Sequence, residues 1–329
     1  MDSRTRLSRV TNMLALLACC TAAGIAHAAE QAYPARPIRL IVPYAPGGGT
    51  DTLARIFSQK LSEAMEQTWV VDNRTGAGGN LAVEIVVRAN ADGHTVLLAL
   101  DSLLTANPSL LKVTYNVEKD LQPITMLAFA NMIVIVHASV PAKTLQEFVA
   151  FVKQNPGKLN YGSGGVGSPI HLAAELLKKR AGIDMVHIPY KGGGPAAAAL
   201  LAGECQVQIG TVPATIGHIK AGRLRALATT GAKRSKLLPE LPTVAESGYP
   251  GFETSLWYAL LVPAATPKGI VARIRDEALK TLQHADVQAA MARQGMDPVS
   301  STPEELAARI KSESIIWAGV IKDAGIRGE

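Results

Sequence analysis

An α/β fold is predicted for this 329-residue chain by three observations. Short apolar runs alternate with segments whose apolar residues recur at helical spacing. Glycine-rich turns separate the two kinds of segment. Helix starts are marked by Ser168-Pro169 and Thr302-Pro303, where a hydroxyl caps and Pro fills the first turn. Strands alternating with helices imply parallel pairing.

After a Pro-bearing lead-in at residues 33–37, Ile38–Val42 reads as a strand. The helix from Thr50 carries Leu53, Ile56, Phe57 and Leu61 at helical spacing. Residues 69–72 form a second strand, 81–89 a helix and Thr95–Leu100 a third strand. Two adjacent apolar runs, 124–130 and 132–137, break the rhythm and mark a crossing into another unit. The alternation then resumes with helix 144–155, strand 158–161, helix 168–181, strand 185–188 and helix 195–202. Strand 206–210, helix 214–221 and strand Leu224–Thr229 complete it. Residues 231–251 are rich in Pro and Gly and read as a connection. An apolar run at 256–262 precedes helices 266–282, 286–294 and 302–324. The expected organisation is a first domain split in sequence (29–130 plus 255–329) around a second (131–254).

The N-terminus carries Arg4, Arg6 and Arg9, an uncharged run with its apolar heart at 13–24, and the small residues Ala26-His27-Ala28. This is the pattern of a secretory signal peptide spanning 1–28, which places the mature chain in the periplasm. The apolar heart falls short of the ~20 residues of a spanning helix, and Leu17 fits poorly with a lipoprotein signal at Cys19. Removing residues 1–28 takes three Arg and one Asp, so the net charge of +6 becomes +4. The Lys and Arg residues are scattered, which speaks against nucleic acid. Cys19 and Cys20 leave with the signal. Cys205 remains alone, without a base beside it in sequence, and reads as structural.

Two turns carry most of the functional information. The first is Pro43-Tyr-Ala-Pro-Gly-Gly-Gly-Thr-Asp51; the second is Tyr161-Gly-Ser-Gly-Gly-Val-Gly-Ser-Pro169. Each leads into a helix, so free backbone N–H groups stand where the helix dipole favours an anion. Neither contains Lys or Arg. A small carboxylate suits them better than a triphosphate, for which the Walker lysine is also missing. Gly162, Gly164 and Gly167 formally match a dinucleotide fingerprint, which leaves a nucleotide-dependent oxidoreductase as the alternative function. The acid that should follow the next strand is absent there, since Pro189-Tyr190-Lys191 follows instead. HExxH, paired CxxC and GxSxG motifs do not occur, and the histidines of the mature chain show no ligand spacing. No catalytic residue, metal or cofactor is therefore assigned. His187 stands near a third glycine turn, Tyr190-Lys-Gly-Gly-Gly194. Together with the turn 74–80, Asp101-Ser102 and Thr211, these turns all follow strands, where open parallel sheets bind ligands.

Six patterns in series resemble the periplasmic substrate receptors of tripartite tricarboxylate transporters, the Bug receptors. They are the two main turns, Asn73-Arg-Thr-Gly-Ala-Gly-Gly-Asn80, His187-Ile-Pro-Tyr-Lys-Gly-Gly-Gly194, Ala221-Gly-Arg-Leu-Arg-Ala226 and Leu241-Pro-Thr-Val-Ala-Glu-Ser-Gly248. The resemblance implies a type II periplasmic-binding-protein fold, two α/β domains joined by two crossing strands, closing on a small carboxylate such as a di- or tricarboxylate or an aromatic acid. Carried onto this sequence, the grip uses Gly47, Gly48 and Thr50 from one domain and Ser163, Gly164, Gly167 and Ser168 from the other. Tyr44, Asn80, Ser102, Tyr190 and Thr211 shape the remainder, and Asp51 belongs to the motif as a stabiliser of its helix N-terminus. The implied partners are the carboxylate and either membrane transporter subunits or a sensor kinase, with the receptor itself a monomer and not an enzyme.

Overall fold

The computed structural model describes residues 33–212 and 215–328; the expected signal segment, with Cys19 and Cys20, lies outside them. β1 (Ile38–Val42) passes through the first glycine turn into α1 (Gly49–Met65), then β2 (Trp69–Asn73), α2 (Asn80–Val87) and β3 (Thr95–Leu100). Short helices α3 (Asp101–Leu104), α4 (Asn107–Leu110) and α5 (Val117–Asp120) lead to the 17-residue β4 (Leu121–His137). Next come α6 (Leu145–Gln154), β5 (Asn160–Ser163), α7 (Pro169–Ala181), β6 (Val186–Pro189), α8 (Gly193–Ala202), β7 (Val207–Thr211), α9 (Ile216–Lys220) and β8 (Leu224–Thr229). β9 (Ser255–Pro263), α10 (Lys268–Gln283), α11 (Ala285–Arg293), β10 (Met296–Pro298) and α12 (Pro303–Ala324) finish the chain.

Residues from Arg36 onward form one compact unit around a sheet ordered β2-β1-β3-β9-β4-β7-β5-β6. β1 pairs in parallel with β2 and β3, and β5 pairs in parallel with β6 and β7, as the alternation predicts. The two apolar runs of the crossing are a single strand. Leu121–Asn131 of β4 pairs antiparallel with β9, and Met132–His137 pairs with β7 and β8. Asn131 does not interrupt it, because it keeps register opposite Ser255.

The sheet thus has two halves that share β4. Each half has its own core. Ile41, Val83, Leu97, Trp257, Leu261 and Leu306 pack in one; Ile133, Ile135, Leu200, Val212 and Leu224 pack in the other. The C-terminal elements return to the first half: β9 lies beside β3, α10 and α11 pack on α1, and Lys60 meets Asp286 at 2.8 Å. α12 starts with a full capping box, in which Thr302 and Glu305 satisfy each other's backbone amides. The helices α3 to α5 and the three-residue β10 escape sequence periodicity because each is too short to show a period.

Candidate functional site

The C-terminal ends of β1, β3, β5, β6 and β7 bring the glycine turns to one seam between the two halves. The first turn packs on the third. Ala45 N–H donates to Lys191 O at 2.9 Å, and a Cβ placed on Gly194 would lie 3.0 Å from the backbone of Gly47. The turn at 74–80 meets the second turn, where any side chain on Gly78 would collide with the carbonyl of Val166. Only glycine permits both approaches.

A small cavity of about 30 Å3 lies at this seam. It is lined by Tyr44, Gly48, Gly49 and Thr50 from the first turn, Gly164, Ser168, Pro169 and Ile170 from the second, Gly193 from the third, and Leu100, Thr211, Leu256 and Tyr258 from strands. None of these side chains is charged. Three helix N-termini converge on it, those of α1, α7 and α8. Those of α1 and α8 are preceded by Gly48 and Gly192, which offer no side-chain cap, so their amides stay available. At α7 the Ser168 hydroxyl already accepts from His171 N–H at 3.3 Å.

Burial pushes both cavity phenols, Tyr44 and Tyr258, well above the usual tyrosine range, and the nearby Asp101 adds to this. Both stay neutral hydrogen-bond donors. Tyr44 Oη donates to Gly78 O at 3.0 Å, and the Tyr258 hydroxyl meets Thr50. Beyond Tyr44, a larger chamber of about 580 Å3 runs along the seam, lined by residues that include Asn80, Glu84, Lys112, Gly164, Tyr190 and Lys191.

The structure sorts the sequence-predicted residues into two groups. Tyr44, Gly48, Thr50, Gly164, Ser168 and Thr211 line the small cavity, while Asn80 and Tyr190 line the outer chamber. The others brace the turns. Asp51 faces away from the cavity: its carboxylate accepts from Gly47 N–H, Arg55 Nε and Nη2, and Asn73 Nδ2, at 2.9 to 3.2 Å. These hydrogen bonds outweigh its partial burial and hold its carboxyl below the ordinary range. Ser163 is fully buried, bonds His187 Nε2 at 2.6 Å and accepts from Gly165 N–H. Gly167 N–H reaches His171 Nδ1 at 3.3 Å. Gly47 serves as the Asp51 partner, and Ser102 lines a separate small cavity beside Asp101.

Sequence reasoning missed Gly49, Gly193, Tyr258 and the apolar wall of Leu100, Ile170 and Leu256. The signal for Gly193 is present in the sequence, since Tyr190–Gly194 is a third glycine turn before a helix, of which only Tyr190 is expected at the site. Cys205 is fully buried beside Gly162, with its thiol pushed up to about 11 by burial, which fits its structural reading. In the formal dinucleotide motif, α7 begins only after Gly167, and β6 ends at Pro189 without an acid.

The family model for the tripartite tricarboxylate transporter family receptor matches residues 53–326. The chain belongs to that family. Among curated relatives of this receptor, BugT of Bordetella pertussis is 37% identical over 322 residues, 97% of this chain and 99% of the relative. Among solved structures, the periplasmic binding protein BugD superposes with a TM-score of 0.87 at 33% identity, covering 90% of this chain and 100% of that one. An R. palustris protein solved with adipate gives 0.86 at 33% identity, with 90% and 99% covered. MatC from Rhodopseudomonas palustris with bound malate gives 0.84 at 29%, with 88% and 100% covered. The receptor therefore has the predicted fold of the periplasmic binding proteins. No helix among its described residues is long and apolar enough to cross a membrane.

Proposed function

We propose that this receptor captures a small carboxylate in the periplasm by closing two domains, 29–130 with 255–329 and 131–254, over it, and delivers it for uptake. The observation that carries the reading is the convergence of three helix N-termini on a cavity with no charged lining residue. An anion in such a site is held by amide groups and hydroxyls. Each helix end contributes about 0.3–1 kcal/mol, more when partly buried, and each hydrogen bond to a charged oxygen about 1.5–3 kcal/mol. The roughly 8 kcal/mol of micromolar binding is within reach without a salt bridge.

The geometry of the contacts supports closure. The first turn belongs to one half of the sheet and the second and third to the other, so only the closed form offers all three helix ends. The shared strand β4, and the return from β8 to β9 where Thr254 N–H donates to Thr230 O at 2.9 Å, supply the crossing about which the halves move. The cavity volume of about 30 Å3 matches one carboxylate group. The rest of a longer ligand passes Tyr44 into the outer chamber, where Lys112 and Lys191 favour a second anionic end. The family membership and the adipate and malate carried by structural neighbours support this ligand class.

A thermal-shift screen over mono-, di- and tricarboxylates, including aromatic diacids, tests the reading. A rise in melting temperature with a subset of these acids is expected. No rise with any of them would overturn it.

A further inference from the structure

Beside the small cavity lies a buried acid that the carboxylate grip does not use. Asp101 begins α3 at the end of β3 and is 4% exposed. Its carboxyl accepts from Ser102 N–H at 2.7 Å and from the backbone amide of Trp257. A cavity of about 10 Å3 beside it is closed by Ser102, Met132, Thr254, Ser255 and Trp317, and by Pro169 and Leu172 of α7. Pro169 also lines the small carboxylate cavity. The cover over Asp101 thus comes partly from the opposite half of the sheet.

Beyond those two backbone amides, the charged groups that face Asp101 give its charge no net compensation. On α12, Arg309 and Glu313 form an ion pair at 2.7 Å, and Glu313 also accepts from Trp257 Nε1 at 2.8 Å. Their charges cancel at a distance, with Glu313 acting on Asp101 more strongly than Arg309. From β9 and the first turn come the neutral phenols of Tyr258 and Tyr44. The α7 residues beside it, Pro169 and Leu172, and Met132 of β4 are uncharged.

We propose that Asp101 takes up a proton as the two halves close over the ligand, so that the receptor captures a carboxylate together with one proton. This inference rests on the closing-receptor reading above. In the open form, α7 withdraws and water reaches Asp101, which is then an ordinary ionised carboxylate. In the closed form it is desolvated, and the bound anion adds a second negative charge nearby; two acids in uncharged surroundings keep one proton between them. Burial, first among the causes, pushes the Asp101 carboxyl well above the usual carboxylate range in the closed form. The sign follows. The closed form holds more protons than the open form from the ordinary carboxylate range upward, so affinity is greatest at low pH. It weakens toward tenfold per pH unit as pH rises, until the closed form itself ionises.

The test uses malate and adipate, both essentially dianionic between about pH 7.5 and 8.5. Isothermal titration in two buffers of different ionisation enthalpy should show uptake approaching one proton per ligand, with Kd rising with pH. Asp101→Asn should bind without proton uptake, with a flat pH profile and tighter than wild type at the alkaline end. Should that variant not fold, wild type labelled with 13C at Asp carboxyls serves instead, and its Asp101 signal should move to the protonated position on ligand addition. Binding without proton uptake, uptake that persists in Asp101→Asn, or an Asp101 signal that stays ionised would each overturn the inference alone. Binding of neither malate nor adipate, nor of any acid in the thermal-shift panel, would remove the receptor reading and this inference with it.

Discussion

The first and second glycine turns read alike in sequence but are built differently. In the first, a charged brace lies behind the loop: Asp51 ties Gly47, Arg55 and Asn73, and Asn73 also donates to Tyr44 O at 2.8 Å. The α1 amides in front of that brace are uncapped. In the second, the brace is a stack of rings. Tyr161, His187 and His171 lie ring on ring, with centroids 4.9 and 4.3 Å apart, and Ser163 is locked to His187. There the helix is capped by its own Ser168. The first turn and the third, with its uncapped α8, therefore present the open amides, while the second supplies a preformed wall. A shared sequence pattern does not mean shared hydrogen-bond capacity.

The largest effect should come from blocking the contact between the first and third turns. Gly194→Ala places a methyl against the Gly47–Gly48 backbone, which only the closed form brings near. Ligand affinity measured by titration calorimetry should fall by at least about thirtyfold, while the unliganded chain melts no lower, since alanine favours a helix more than glycine does. Gly217→Ala, with open space around it, should leave both unchanged. Equal behaviour of the two variants would break the account of the seam.

The two braces should also fail at different pH. Burial lowers His171 from 6.5 to about 4, so the fold keeps it neutral. Its contribution is full above about pH 6.5 and is lost as pH falls toward 4, at up to about 1.4 kcal/mol per pH unit. Asp51 is shifted below the ordinary carboxylate range, so its contribution is present above 3.8 and is lost only as pH falls through its lowered value. Hydrogen exchange near pH 5 should therefore show the second turn and α7 loosening while the first turn stays protected. Simultaneous loosening would contradict the contrast.

Smaller effects sharpen it further. Ser168→Ala removes a cap worth about 1 kcal/mol of stability and should change ligand affinity less than about threefold, because that hydroxyl already serves the α7 backbone. Tyr258→Phe removes a neutral donor at the cavity floor and should cost about 0.5–1.5 kcal/mol of binding with little change in melting temperature. If Ser168→Ala weakens binding more than Tyr258→Phe does, the two turns have been assigned the wrong way round.

Much of this was legible in the sequence. The strands β1, β3 and β8 were placed to the residue, and other long elements to within a few residues, because their apolar periods are strong. Glycine runs after strands located the seam. Direction was not legible. Asp51 and Ser163 sit inside binding-type motifs, yet they point backward into braces, and that depends on Arg55, Asn73 and His187 folding up behind them. Tyr258 was hidden for a related reason: an apolar run shows that a strand is buried but not which side chain reaches a cavity beside Gly49, 209 residues earlier in sequence.

A crystal structure of the receptor with the acid giving the largest thermal shift tests the central claim most directly. The account predicts carboxylate oxygens within hydrogen-bonding distance, about 2.7–3.2 Å, of the backbone amides at the starts of α1 and α8, with no Lys or Arg side chain on that carboxylate. A carboxylate paired with a side-chain cation, or seated away from these two helix ends, would contradict it.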